Sequence, residues 1–101
     1  MPLSPKLPEG EVREKLPRVP LWTVRNGRLH RDFTFPSFVE AFGFMTRTAL
    51  LAEAMNHHPD WSNSYNKVDV TLSTHDVKGL TRRDIELAQR MDQMAAGLAR
   101  R

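Results

Sequence analysis

Residues 21–35 read LWTVRNGRLHRDFTF, and this stretch decides the fold because it predicts a β-hairpin. Asn26-Gly27 is a dipeptide preferred in two-residue type I′ turns, since both central residues there need positive φ. The turn pairs the two strands so that Val24 lies opposite Leu29. Four apolar side chains then share one face, which we predict to be buried: Trp22, Val24, Leu29 and Phe33. His30 points the other way and is predicted to be a surface residue of the strand.

A helix is predicted to follow the hairpin, because Pro36 suits the first position of a helix. One set of apolar residues recurs at helical spacing and forms the predicted core stripe: Phe38, Phe42, Met45, Ala49 and Ala52. A second apolar strip, Phe44, Leu51 and Met55, makes the apolar arc wider than one sheet face needs, so we expect this strip to meet another subunit. Pro59 disfavours the α conformation at His58, so the helix should end close by.

A strand and a final helix complete the pattern. Residues 65–74 alternate in polarity and predict a half-buried strand, with residues 59–64 as a short linker before it. Thr81 and Asp84 resemble a capping box at the start of the last helix. Its apolar stripe consists of Ile85, Ala88, Met91, Ala95 and Leu98. This order of elements predicts an α+β fold of two layers, with helices packed on one face of a small antiparallel sheet.

The chain has 101 residues, which is the size of one domain. We place that domain at residues 21–101. Five of the seven prolines fall within residues 1–20, which we predict to be a flexible arm with a possible short helix at residues 9–16. A composition that is 40% hydrophobic and 27% charged is ordinary for a globular chain.

Charge and composition also exclude some classes of function. The net charge of +3 is spread along the chain, whereas a nucleic-acid binder concentrates its basic residues on one element, so we expect no nucleic-acid partner. No apolar stretch approaches the ~20 residues that span a bilayer, so we expect no membrane association. There is no cysteine, and residues 1–10 carry no apolar segment of the signal-peptide kind, so we expect a cytoplasmic protein.

Three of the four histidines lie in two short segments that bracket the predicted strand: His57, His58 and His75. They allow three interpretations. They are surface or capping residues, since histidine is favoured near a helix C-terminus. Alternatively they bind zinc, although adjacent histidines turn to one ion less easily than an i, i+4 pair. The third interpretation is acid–base chemistry without a metal, because the ordinary pKa of histidine lies near neutral pH. Trp61 and Tyr65 would then provide a flat wall for a ring.

A longer pattern favours the third interpretation. It consists of Glu53, His57, His58, Pro59, Tyr65, His75 and Asp84. At this spacing the pattern resembles the signature of the pterin-4a-carbinolamine dehydratases. The flanking runs FGFMTR at 42–47, YNKV at 65–68, LSTH at 72–75 and GLT at 79–81 are also similar to that family. The resemblance extends over residues 22–94 and is more specific than a single short motif.

The resemblance implies a sheet of about four antiparallel strands with helices on one face, assembled into homodimers or homotetramers. It implies dehydration of a 4a-hydroxytetrahydropterin to the quinonoid dihydropterin, which recycles the cofactor of aromatic amino acid hydroxylases. No metal and no organic cofactor is expected, and a hydroxylase is a possible partner. The alternative is a protein-binding role, since members of the family are implicated as dimerisation cofactors of a homeodomain transcription factor and as assembly factors.

By the same resemblance, His57, His58 and His75 form the catalytic set. Glu53 lies one helical turn before His57, so we expect it to orient that imidazole or raise its basicity. Asp84 is expected to support another histidine in addition to its capping role. Residues that flank the histidines are expected to shape the pterin pocket, together with His57, His58 and His75: Pro59, Thr74, Asp76 and Val77.

Overall fold

A computed structural model describes residues 4–99 of the chain. Its elements are α1 (Glu9–Lys15), a 3-10 turn (Leu16–Arg18), β1 (Thr23–Arg25), β2 (Arg28–Thr34), α2 (Phe38–Met55), β3 (Asp60–Ser64), β4 (Lys67–Leu72), a second 3-10 turn (His75–Val77) and α3 (Arg82–Ala99). The four strands form one antiparallel sheet in the order β1-β2-β4-β3. The predicted two-layer α+β fold is therefore confirmed. Within the described residues, no helix is both long and apolar enough to cross a membrane.

The hairpin has the predicted turn and register. Asn26 and Gly27 have φ values of 52° and 75°, as a type I′ turn requires, and Val24 pairs with Leu29. The predicted burial of Val24 is wrong, however, because its side chain is 42% exposed. Val24 lies on the edge strand β1, where a side chain has a neighbouring strand on one side only.

The core lies between one face of the sheet and the helices. Leu29 pairs with Leu72, and Phe33 pairs with Val68, across the two central strands β2 and β4. All four side chains are at most 1% exposed. They belong to one apolar cluster with the inward residues of α2 and α3, which include Phe44, Ile85, Leu87, Ala88 and Met91. Burial of this cluster holds both helices on the same side of the sheet.

Helix α2 faces the core with a stripe that matches the predicted one only at Ala52, which is buried, and at Met45, which packs against the core. Its fully buried residues are Ala41, Phe44, Thr48 and Ala52, and Leu51 and Met55 pack against the same core. The predicted core residues Phe38, Phe42 and Ala49 are exposed. The strip that was expected to meet another subunit is therefore internal, and a different apolar strip of α2 faces outward. Periodicity alone predicted a wide apolar arc but not which half of it meets the sheet.

The segment predicted to be a linker contains a strand. Residues 60–64 form β3, an edge strand whose side chains are largely polar and which pairs with β4. Its sequence, DWSNS, lacks the alternation of apolar residues that marks a half-buried strand. Tyr65, predicted at the start of the next strand, has φ 54° and is 66% exposed in the turn between β3 and β4.

The packed unit begins before the predicted boundary at residue 21. Val12 of α1 and Val19 belong to the core cluster, with exposures of 9% and 0%. The Leu7 N–H donates to the Leu80 carbonyl at 2.7 Å. The short helix expected within the arm is present as α1, and residues 7–19 pack against the domain instead of extending away from it. Residues 1–3 of the predicted arm lie outside the described residues.

Candidate active site

The end of α2 separates the two adjacent histidines. Asn56 adopts the left-handed conformation with φ 52° and closes the helix, and the His57 N–H donates to the Ala52 carbonyl at 3.0 Å. Asparagine tolerates this conformation better than most residues. The reversal of the chain sends the side chain of His57 into the protein, where the residue is 6% exposed. The His58 side chain stays outside and is 56% exposed.

His57 contacts a carboxylate that is completely buried. Its Nε2 atom lies 2.6 Å from Oδ1 of Asp84, whose exposure is 0%. The other oxygen, Oδ2, accepts from the Thr81 N–H at 2.9 Å and from the Thr74 hydroxyl at 2.8 Å. The Thr81 hydroxyl in turn accepts from the Arg83 N–H at 3.2 Å. The predicted capping box is thus present, and Asp84 combines the cap with a contact to a histidine.

The hydrogen bonds of Asp84 determine which nitrogen of His57 carries a proton. Both of these donors engage Oδ2, and when Asp84 is the carboxylate anion its Oδ1 acts only as an acceptor. The Nε2–H of His57 therefore donates to Oδ1 of Asp84. In the neutral imidazole this leaves Nδ1 as the nitrogen that can accept a proton. Proteins usually bury a carboxylate only where it accepts several hydrogen bonds, as Asp84 does here.

Glu53 supports a different histidine from the predicted one. Its Oε1 lies 2.8 Å from Nε2 of His58, five residues later, and not beside His57. The expectation of an i, i+4 contact assumed that the helix continues to His57, whereas the left-handed residue Asn56 ends it one residue earlier. Both side chains of the Glu53–His58 pair are mostly exposed.

His75 also has a carboxylate neighbour, which the sequence analysis did not single out. Nε2 of His75 lies 3.3 Å from Oδ2 of Asp60, the first residue of β3. Both side chains are more than half exposed, at 68% and 54%. The available sequence signal was the position of Asp60 directly after Pro59, which was itself predicted to shape the pocket.

Two contacts bring the predicted segments together. Asp84 bridges His57 to Thr74, and Asp60 joins the segment of His58 to His75. A cavity of about 360 Å³ lies beside His75, and its lining includes Arg28, Ser73 and Lys78. Tyr65 is not part of this arrangement, because it lies at the opposite end of β3 from Asp60. Trp61 faces the core, where it packs against the apolar cluster.

The remaining predicted pocket residues are close to the histidines in the sequence. Pro59 is partly buried between His58 and Asp60, and Asp76 and Val77 complete the 3-10 turn that begins at His75. Thr74 is 4% exposed, and its hydroxyl contacts both Asp84 and Thr81. Its side chain is therefore engaged inside the protein. Within residues 4–99, the three predicted catalytic histidines do not form a set with metal-ligand spacing; each lies against its own carboxylate.

Comparisons with known proteins agree with this fold. The family model for pterin 4 alpha carbinolamine dehydratase matches residues 5–94. A relative from Solibacter usitatus is 50% identical over 94% of this chain and 100% of its own length. One from Burkholderia vietnamiensis is 56% identical over 90% of this chain and 91% of its own length. Both are named as candidate pterin-4-alpha-carbinolamine dehydratases.

Solved structures give the same assignment. A crystal structure from Brucella melitensis, described as a transcriptional coactivator/pterin dehydratase, matches with a TM-score of 0.88 and 43% identity, over 90% of this chain and 99% of the other. A pterin dehydratase-like RuBisCO assembly factor of the alpha-carboxysome has a TM-score of 0.62 at 23% identity, over 73% of this chain and 86% of the other, and shares the fold. A small α+β protein with a carboxylate-supported histidine site is thus the class that the structure defines. The chain belongs to the pterin-4a-carbinolamine dehydratase family.

Proposed function

We propose that this protein dehydrates a 4a-hydroxytetrahydropterin to the quinonoid dihydropterin by histidine acid–base catalysis. The observation that carries the proposal is the pairing of each predicted catalytic histidine with a separate carboxylate: His57 with Asp84, His58 with Glu53 and His75 with Asp60. Groups that exchange protons near neutral pH need fixed tautomers and orientations, and a carboxylate partner supplies both. Membership of the family supports the choice of substrate.

The reaction needs two proton transfers at adjacent atoms of the substrate. The C4a–O bond breaks as the hydroxyl takes a proton from an acid and leaves as water. The N5–H proton passes to a base as the C4a=N5 double bond forms. General acid and general base catalysis each contribute about 10²–10⁴-fold. In this proposal His57, His58 and His75 supply both groups, and His57 exchanges its proton at Nδ1 because Asp84 engages Nε2.

The pterin in this proposal lies over the exposed side of the histidine site. The proposed border of that side consists of His58, Pro59, His75, Asp76 and Val77, of which His75 also lines the cavity of about 360 Å³. Thr74 contributes through its backbone, since its hydroxyl is engaged with Asp84 and Thr81. We place this reaction in the cytoplasm, in recycling of the reduced pterin used by an aromatic amino acid hydroxylase, as the family resemblance implies.

The test is stopped-flow absorbance of freshly generated 4a-hydroxytetrahydropterin, with and without chelator-treated protein. We expect faster loss of the carbinolamine with the protein, at a rate that chelator treatment does not change. His58→Ala should lower this rate at least about tenfold. Arg47→Ala, which changes an exposed residue of α2, is the matched control. No acceleration by the folded wild-type protein would contradict the proposed reaction, and full activity in His58→Ala would contradict the assignment of the site.

We also propose that the protein assembles with copies of itself through the outward strip of α2. This strip consists of Phe38, Val39, Phe42 and Leu50, whose exposures range from 46% to 76%. Exposed apolar side chains grouped on one side of a helix are typical of interaction surfaces, and the family resemblance implies a homodimer or homotetramer. A protein-binding role without catalysis would use the same strip, and it becomes the leading hypothesis if the dehydration test fails.

A further inference from the structure

We propose that His30, Asp32 and Asp69 form a binding site for a divalent transition-metal ion of the zinc class, on the face of the sheet opposite the helices. His30 and Asp32 are two residues apart on β2 and point to that face. Asp69 on β4 is the cross-strand partner of Asp32. The site is separate from the three histidines of the proposed reaction, and the inference does not depend on that reaction.

The electrostatics of this cluster call for a cation. Asp32 and Asp69 are directly opposed on the two central strands, and like charges in that position repel each other. Within residues 4–99, His30 is the only side chain that forms an ion pair with either carboxylate. His30 is within hydrogen-bond distance of Asp69 but not of Asp32, and a bound cation would reduce the repulsion between the two carboxylates.

The positions of the ligand atoms fit a metal ion. Nε2 of His30 lies 2.7 Å from Oδ1 of Asp69 and 3.5 Å from Oδ1 of Asp32, and one ligand atom from each residue lies within 4.8 Å of the other two. Zinc bonds to nitrogen and oxygen of about 2.0–2.2 Å place the ligands of a tetrahedron about 3.3 Å apart. The His30–Asp32 separation is near that value, whereas His30 and Asp69 are in direct contact and would have to move apart to admit an ion.

The burial of His30 and the exposure of the two aspartates suit a site that binds one ion. His30 is 7% exposed, although it lies on the open face of the sheet, so its ring is held by its neighbours. The aspartate side chains are 67% and 57% exposed, which leaves water free to fill the remaining coordination position. An imidazole with two carboxylates suits zinc or cobalt better than magnesium or calcium, which prefer oxygen ligands alone.

Titration calorimetry of the chelator-treated full chain with Zn²⁺ tests the proposal, with Co²⁺ absorbance as a second measurement. We expect one equivalent of Zn²⁺ to bind and to raise the thermal midpoint by at least about 5 °C when zinc is well above its Kd. Asp69→Asn and Asp32→Asn preserve side-chain volume and should each lower the affinity at least about tenfold. His58→Gln and His75→Gln should leave zinc binding unchanged, because these residues belong to the other site.

Each alternative result overturns the inference. Absence of stoichiometric binding to the wild type would contradict the proposed site. Binding that survives both aspartate substitutions would place the ion elsewhere. Binding that is lost in His58→Gln or His75→Gln would move it to the histidine site. Unfolding midpoints without metal show whether a variant has lost its fold instead of a ligand.

Discussion

Nε2 of His57 lies 2.6 Å from Oδ1 of Asp84, although 27 residues separate them in the chain. The contact joins the end of α2 to the start of α3. The strands β3 and β4 and the second 3-10 turn lie between these two residues in the chain. Asp84 receives two further hydrogen bonds, from the backbone of Thr81 and the hydroxyl of Thr74. The buried carboxylate of Asp84 therefore has two roles: it contacts a histidine of the proposed reaction, and it holds together segments of the domain.

Asp84→Asn should lower both activity and stability. The amide replaces an acceptor oxygen with an NH₂ group that faces existing donors, so we expect a loss of about 2–3 kcal/mol in the free energy of unfolding. The dehydration rate should fall at least about tenfold because His57 loses its anionic partner. Urea unfolding and stopped-flow absorbance measure the two effects, with Glu11→Gln, at an exposed carboxylate of α1, as the control. A variant with normal stability would contradict the observed bonding of Asp84.

Thr81 should act as a positioning residue. Thr81→Val removes the hydroxyl that contacts Thr74 and caps the Arg83 N–H, which costs about 1 kcal/mol of stability. We expect a lower kcat with little change in KM, because the orientation of Asp84 changes and the pterin surface does not. Thr81→Ser keeps the hydroxyl and should restore kcat. If serine fails to rescue the rate, the methyl group and not the hydrogen bonds explains the defect.

Glu53→Gln should separate activity from stability. The Glu53–His58 pair is largely exposed, and such pairs contribute little to folding. We expect an unchanged midpoint of urea unfolding together with a reduced dehydration rate, since His58 loses an anionic partner. The matched control is Glu86→Gln, which changes a different exposed ion pair, Glu86–Arg90 on α3. An activity equal to the wild type would remove Glu53 from the site.

Two adjacent leucines distinguish the inner and outer faces of α2. Leu50 is 70% exposed, so Leu50→Glu should yield smaller species by light scattering while the domain stays folded. Leu51 packs against the core, so Leu51→Glu should instead lower the thermal midpoint by roughly 5 °C or more. Identical masses for Leu50→Glu and the wild type would show that the outward strip of α2 is not an interface.

The sequence predicted the elements that carry strong local signals. The Asn26-Gly27 turn fixed the register of β1 and β2, and the Thr81–Asp84 cap marked the start of α3. The polar strand β3 was missed, since its pairing with β4 is a long-range feature that leaves no alternation in its own sequence. The inward half of α2 was chosen wrongly, because two apolar strips of similar strength offered no local basis for a choice.

The composition of the candidate site was predicted better than its pairing. The sequence pattern named all three histidines with Glu53 and Asp84, but it matched Glu53 to His57. The actual partners depend on a single backbone conformation, the left-handed residue at Asn56, which turns His57 inward. Asp60 was overlooked because nothing in its local sequence shows that β3 begins there, opposite His75.

The left-handed residue at the end of α2 also has a consequence for motion. It leaves His57 inside the protein and His58 outside, with His75 similarly exposed. Exposed side chains change rotamer within picoseconds to nanoseconds, whereas a group held by a fully buried partner moves only when the surrounding structure opens. In the proposed reaction, His57 would thus be a stationary reference, whereas the orientations of His58 and His75 depend on Glu53 and Asp60, which are themselves exposed.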